Sequence, residues 1–392
     1  MNGHTVPFCD QAEHVGVLRC PGAGNMASIL ARETAHTRAV YAVLPAGLAR
    51  GHNGNPAAAL RVEAMYGLPV LLSGLASLIL GKPELQALDM HLKVQLERLQ
   101  RLYPGTPDPV VYFLAGCLPA SAQLHLKQLT LLGMVARLGP QSILHQHGCY
   151  MLASPSPSPS SHSSSWFTQV RDLCSQYGLP DPLYVLHYPE GKLRWKKLAQ
   201  QHVTQYWNVQ LREHAARLQR SLPHFRASHM SLTRPSTLWS SCHGLPYEVR
   251  KATVQARMVS GRYRTCWFRR NFGVGESGFC RVPGCTSDLP GTLEHLATGQ
   301  CPGMATAVTA ATTHWGGFLA GNPHLLPLIQ DYAAGESSAF LAFLLDPSTQ
   351  PPVLALAQQL GSGVTDQLCH MTRTWLYSLH KERLVKLGLW KK

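Results

Sequence analysis

Acidic residues are scarce in this chain of 392 residues: 21 Asp and Glu face 35 Lys and Arg, for a formal charge of +14 with the 20 histidines neutral. Only 14% of residues are charged while 45% are hydrophobic, which excludes both a coiled coil and wholesale disorder. Long apolar runs are also missing. The uncharged apolar stretch at residues 66–81 (YGLPVLLSGLASLILG) contains Pro69 and three glycines, and it is shorter than the ~20 residues of a spanning helix. It reads as a buried core helix kinked at the proline. The opening MNGHTVPF carries no basic segment ahead of an apolar core, so no secretory leader and no membrane partner are expected, and the compartment expected is nucleus or cytoplasm. Eleven cysteines is an odd number, and in that setting a disulfide framework is not expected. No Asp-Asp pair occurs, no Gly-Lys-Ser/Thr follows a glycine-rich loop, and no nucleophile elbow is present. A phosphate-binding loop and an α/β-hydrolase site are thereby excluded.

The excess positive charge is localised. Residues 192–270 hold 16 Lys or Arg and 2 Glu (Glu213 and Glu248), and the remainder of the chain is balanced at 19 cations and 19 anions. A merely soluble face mixes its signs, whereas one acid-poor segment is how a polyanion-binding surface looks in sequence. Its densest part places Arg250, Lys251, Arg257, Arg262, Arg264, Arg269 and Arg270 around Tyr263 and Trp267. Arginine donates bidentate hydrogen bonds to phosphate, and interleaved aromatics stack on exposed bases. These nine residues are the candidate nucleic-acid contacts, with Trp195, Tyr206, Trp207 and Trp239 as further aromatics in the segment. RNA, single-stranded DNA or an RNA–DNA hybrid suits them better than duplex base readout, since neither a helix-turn-helix nor a finger tandem is visible.

A second cluster follows directly. Cys280-x4-Cys285-x9-His295-x5-Cys301 gathers three thiols and an imidazole within 22 residues. A filled Cys3His set is the closed, structural type of Zn2+ site, so zinc is the expected cofactor. Pro283-Gly284 suits the turn between the first two thiols, and Thr292-Leu-Glu-His295 reads as the first turn of a helix. Cys242 and Cys266 lie upstream as alternative ligands. The remaining cysteines are scattered, and most of them read as small buried hydrophobes.

The organisation is mainly α. Residues 2–19 read as a short β hairpin with Asn2-Gly3 as a turn signal. Helices are expected from Pro56, from Pro83 with a stripe at Leu85, Leu88, Leu92, Leu96 and Leu99, and over 121–138. The stretch 154–165 (SPSPSPSSHSSS) is of low complexity and reads as a linker. A final helix is expected over 365–387, with Leu368, Met371, Trp375 and Leu379 inward and Arg373, Lys381, Arg383 and Lys386 outward.

In this order the pieces resemble the C-terminal part of a non-LTR (LINE-type) retrotransposon reverse transcriptase. The matching stretches are Gln11-Ala-Glu-His-Val-Gly-Val17, Tyr66-Gly-Leu-Pro-Val-Leu-Leu-Ser-Gly-Leu75, Leu99-Gln-Arg-Leu102, Leu114-Ala-Gly-Cys-Leu-Pro119 and Leu293-Glu-His-Leu296. Arg373-Thr-Trp-Leu-Tyr-Ser-Leu-His380 suits the family's tail. The resemblance implies a remnant palm hairpin (1–20), a helical thumb-like domain (21–153), the Ser/Pro linker (154–165), a basic helical region (166–277), a zinc knuckle (278–303) and a helical tail (304–392). Such polymerases hold two magnesium ions on paired aspartates, and this sequence has none. Only Asp331, Glu336, Asp346, Asp366 and Glu382 follow Cys301, without the Asp…Glu-x-Lys pattern of a restriction-like nuclease. The expectation is a nucleic-acid-binding fragment without catalytic residues. Its rivals are a zinc-stabilised scaffold for protein partners and an active polymerase or nuclease part.

Overall fold

The computed structural model describes residues 12–14, 17–19, 25–44, 54–153, 165–265 and 278–389, and it is mainly helical. Its longer helices are α1 (Met26–Val43), α2 (Lys82–Leu99), α3 (Asp108–Ala115), α4 (Ala120–Ala136), α5 (Ile143–Ala153), α6 (Trp166–Tyr177), α7 (Lys192–Arg217), α8 (Pro246–Val259), α9 (Ala305–Ala320), α10 (Leu326–Ala334), α11 (Ser337–Leu345), α12 (Pro351–Leu360) and α13 (Gly363–Lys386). Ala12–His14 pairs antiparallel with Val17–Arg19. That ladder involves six residues only, and the rest of the hairpin expected over 2–19, Asn2-Gly3 included, lies outside the described residues. So do residues 154–164 of the Ser/Pro stretch.

Two compact units interleave along the chain. Met1–Pro45, Arg61–Gln95 and Leu118–Gln210 form unit 1, and Ala46–Leu60, Leu96–Cys117 and Leu211–Lys392 form unit 2. The helices obey their apolar stripes: Leu88, Leu92, Leu96 and Leu99 of α2 are buried, as are Leu124, Leu129, Leu132 and Val135 of α4. Period 3.6 puts these residues on one face, and burying that face is what holds short helices together.

In unit 1 the polar tips of buried aromatics and imidazoles find partners inside. Trp195 of α7 is buried, and its Nε1 donates to the Leu129 carbonyl at 2.7 Å. The ring lies against Gly133 of α4, where a Cβ would stand 2.2 Å from Trp195 Cδ1. His125 Nδ1 is 2.6 Å from the Tyr177 hydroxyl, and His36 Nε2 is 2.7 Å from Glu63 Oε1. The single kinked helix expected over 66–81 is not found. A π turn at Glu63–Gly67 leads into Leu68–Leu71, and a 3-10 turn follows at Leu75–Ser77. Gly74 separates the last two at φ 75°, a left-handed conformation that ends a helix and that glycine adopts without a Cβ clash.

In unit 2, α13 is the central element, packed against α8, α9, α11 and α12. Leu368, Met371, Trp375 and Leu379 are buried as the stripe predicts. Arg373 and Arg383, expected outward, are buried too. Helices on several sides of α13 leave little of it exposed, so its arginines are taken up by internal acceptors. Arg373 donates to the Cys369 carbonyl at 2.9 Å, to Cys242 Sγ at 3.1 Å and to Ser241 Oγ. Arg383 donates to the Arg264 carbonyl at 2.9 Å. Among the described residues no single helix is long and apolar enough to cross a membrane.

Candidate metal centre and nucleic-acid interface

The thiol cluster of unit 2 is built by turns. Cys280 N donates to the Leu289 carbonyl at 3.4 Å beside a bridge between Phe279 and Pro290, and Cys285 N donates to the Val282 carbonyl at 2.9 Å. Gly284 takes φ 84°, which the tight turn between the first two thiols requires. Backbone from the fourth ligand packs onto this turn: a Cβ on Gly303 would stand 2.8 Å from the Pro283 carbonyl oxygen. Thr292 caps the short helix Leu293–Ala297, accepting from His295 N at 3.1 Å, and so fixes the backbone that carries the imidazole.

The ligand atoms of Cys280, Cys285, His295 and Cys301 all lie within 4.8 Å of one another, close enough to bind one metal ion. Cys280 Sγ and Cys301 Sγ are 3.7 Å apart, and Cys285 Sγ and His295 Nε2 are 3.5 Å apart. Cys301 and His295 are buried, whereas Cys280 and Cys285 are half-buried. Burial pushes the Cys301 thiol up to about 12 and raises that of Cys280. Burial also opposes the Cys285 thiolate, but hydrogen bonds from Ser287 outweigh it and lower that thiol. Cys242 is not part of the cluster, since its buried sulfur accepts from Arg373 and donates to the Leu238 carbonyl. Cys266 lies outside the described residues.

The candidate nucleic-acid residues divide. Lys251 and Tyr263 are corrected from surface to interior. Lys251 Nζ donates to Glu248 Oε1 at 2.8 Å and to Thr374 Oγ1 at 2.9 Å, because α13 covers its face of α8. The Tyr263 hydroxyl is 2.8 Å from His380 Nδ1, under the Arg383 guanidinium. Trp195 and Trp239 are likewise buried, so neither ring is offered for stacking. Trp267, Arg269 and Arg270 lie outside the described residues.

The structure does bring Arg250, Arg257, Arg262 and Arg264 together, around a turn with no obvious charge signal. Arg257 lies 4.7 Å and Arg264 5.1 Å from the centre of the Tyr103 ring. Arg257 Nε donates to the Arg101 carbonyl at 2.9 Å, and Arg262 donates to the Gly105 carbonyl at 2.6 Å. Arg101, which the sequence placed in the matched stretch at residues 99–102 without a binding role, sits at φ 57° and donates to the Gly54 carbonyl at 2.6 Å. Burial lowers its guanidinium, and the like charges of Arg257 and Arg250 lower it further. Among the described residues, Arg101, Arg250, Arg257 and Arg264 make no ion pair with a carboxylate.

Beside this cluster opens a cleft of about 980 Å³. Arg220, His224, Arg226 and Arg262 line it, as do Glu294 and Glu336. Leu218, Pro223, Met258 and Val259 supply apolar wall. No protein-family model, curated protein or solved structure matches this chain.

Proposed function

We propose that this chain is a nucleic-acid-binding module of the kind that follows the palm in non-LTR reverse transcriptases, stabilised by one structural zinc ion and without catalytic residues of its own. The observation that carries the reading is the fate of the charges between residues 192 and 265. Eleven of the 14 cations there are exposed and only Lys251 is buried, whereas Glu248, one of the two acids, is internal. Folding therefore leaves the surface more one-sided than the sequence was. A stretch so poor in counter-charge repels itself unless a polyanion meets it.

The donor set fits zinc. A tetrahedron with Zn–S bonds of about 2.3 Å has S···S edges of about 3.8 Å, and a Zn–N bond of about 2.0 Å gives S···N edges of about 3.5 Å. The separations of 3.7 Å and 3.5 Å match both. Cys280, Cys285, His295 and Cys301 would hold the ion, which deprotonates its thiols and ties local folding to metal binding. Four protein ligands leave no position for a substrate or an activated water, so the expected role is structural.

Gel retardation of a single-stranded RNA oligonucleotide tests the reading. With about five phosphate contacts on a single strand, log affinity falls against log salt with a slope near −3.5, or about a hundredfold between 50 and 200 mM. No retardation at low salt, or retardation indifferent to salt, overturns it.

A further inference from the structure

We infer that the arginine-lined cleft of unit 2 is a binding site for an unpaired nucleic-acid strand, taking its bases as well as its phosphates. The inference rests on the proposed nucleic-acid function and goes beyond it, because it excludes a duplex from this site and assigns base contacts to two carboxylates.

The cleft's size comes first. At 980 Å³ it matches the upper end of clefts that enclose a drug-sized ligand, room for about two or three nucleotides. A double helix, roughly 20 Å across, can only lie over such an opening. Its chemistry comes second. Arg220, Arg226 and Arg262 supply cations, yet Glu294 and Glu336 face the same space. Two carboxylates are wrong for a bare phosphate or another small anion, which they repel. They are right for a nucleotide, whose phosphate needs the arginines while the exocyclic amine of cytosine or adenine needs an acceptor. Leu218, Pro223 and Met258 give the base faces an apolar wall.

Continuity comes third. The turn at residues 103–107 belongs to both features: Tyr103 carries Arg257 and Arg264, Gly105 accepts from Arg262, and Pro107 lines the cleft. Arg257 and Arg264, which make no ion pair with a carboxylate among the described residues, thus lead along the surface to the cleft mouth. A strand can run over the Tyr103 cluster on its phosphates and enter the cleft with its bases.

The test uses the full chain with two variants. Arg220 and Arg226 are exposed, so Arg220→Gln with Arg226→Gln leaves folding intact. Binding of a twelve-nucleotide single strand should fall about tenfold or more, and the salt slope should become shallower by about 1.4, for two lost contacts. Retention of a duplex of equal length should change less than about threefold. The unaltered protein should prefer oligo(C) over oligo(U) by about fivefold, since only cytosine offers an amine, and Glu336→Ala, which removes an acceptor that glutamine would keep, should reduce the preference to about twofold or less. Equal losses for strand and duplex, or no loss, overturn the cleft assignment. So does equal displacement by free cytidine monophosphate, nucleotide for nucleotide, which would make this a mononucleotide pocket. If the unaltered protein retains no nucleic acid at all, the proposed function itself fails, and that outcome is distinct from the others.

Discussion

In unit 1 the buried imidazoles and the Trp195 indole find partners inside: His36 meets Glu63, His125 meets Tyr177 and Trp195 meets the Leu129 carbonyl. In unit 2 internal pairs exist as well, such as Glu248 with Lys251 and His370, but they leave a surplus. Three thiols and an imidazole face one another around a point that suits a cation, and Arg257 and Arg264 gather at Tyr103 with no carboxylate answering them among the described residues. Buried polar groups satisfied within a fold specify that fold. Groups that gather with matching chemistry and lack a counter-charge specify a ligand instead. By that measure the buried pairs named for unit 1 are architecture, and the proposed metal and strand sites both lie in unit 2.

The largest expected effect breaks the metal clip. Cys301→Ser removes a buried thiolate, and zinc affinity should fall by at least about two orders of magnitude. Hydrogen exchange should then show residues 278–304 unprotected while the helices of unit 1 keep their protection, and metal analysis should find no bound zinc. Equal loss of protection in both units would break the comparison.

Next is Glu248→Gln. Glu248 and Lys251 are both buried, and removing one partner of such a pair costs about 3–5 kcal/mol. Burial opposes the Glu248 carboxylate, but the hydrogen bonds of His370 and Lys251 outweigh it and hold the group down to about 2, against an ordinary 4.5. Because the folded value is the lower one, the unfolded chain binds the proton first. The stabilisation is complete above pH 4.5 and is lost as pH falls through 2. Urea unfolding of unit 2 between these limits should show that slope, and the glutamine variant should flatten it.

How much of this could be read from the sequence depended on distance along the chain. The thiol cluster was legible because its ligands fall within 22 residues and the turn and cap that shape it sit between them. The stripes of α2 and α4 were legible because helical periodicity is local. Arg373 and Arg383 were misjudged because their acceptors, Cys242, Ser241 and the Arg264 carbonyl, come from distant segments. Lys251 reads as surface until α13 is known to cover it. Of the cleft only Arg262 and Tyr263 were singled out in the sequence, since its lining comes from residues near 107, 218–226, 258–265, 292–294 and 336–339. Arg101 and Tyr103 carry half of a cluster whose other half lies about 150 residues away, and the matched stretch at residues 99–102 gave no reason to join the two.

A smaller effect sharpens the contrast from the side of unit 1. Replacing glycine by alanine inside an exposed helix stabilises by about 0.5–1 kcal/mol. Gly133→Ala should do the opposite and cost about 1–3 kcal/mol, because the new methyl would meet the Trp195 ring. Thermal unfolding with tryptophan fluorescence reads both the stability and the displaced ring, and nucleic-acid retention should stay unchanged.

The smallest effect on stability belongs to Arg264→Gln. Arg264 is exposed, and its contact with the Tyr103 ring is worth about 0.5–1 kcal/mol at most for a wet cation–π pair. If the arginine serves the fold, that loss is its whole contribution, and Tyr103→Leu, which removes the ring from Arg257 as well, should cost somewhat more stability with no further consequence. If it serves a phosphate, RNA affinity at low salt should fall several-fold while the melting temperature barely moves, and the salt slope should lose about 0.7. The two roles predict different ratios of binding loss to stability loss, so calorimetry and gel retardation on the same two variants decide between them. A ratio weighted to stability would return the Tyr103 cluster to architecture and make unit 2, there, no different from unit 1.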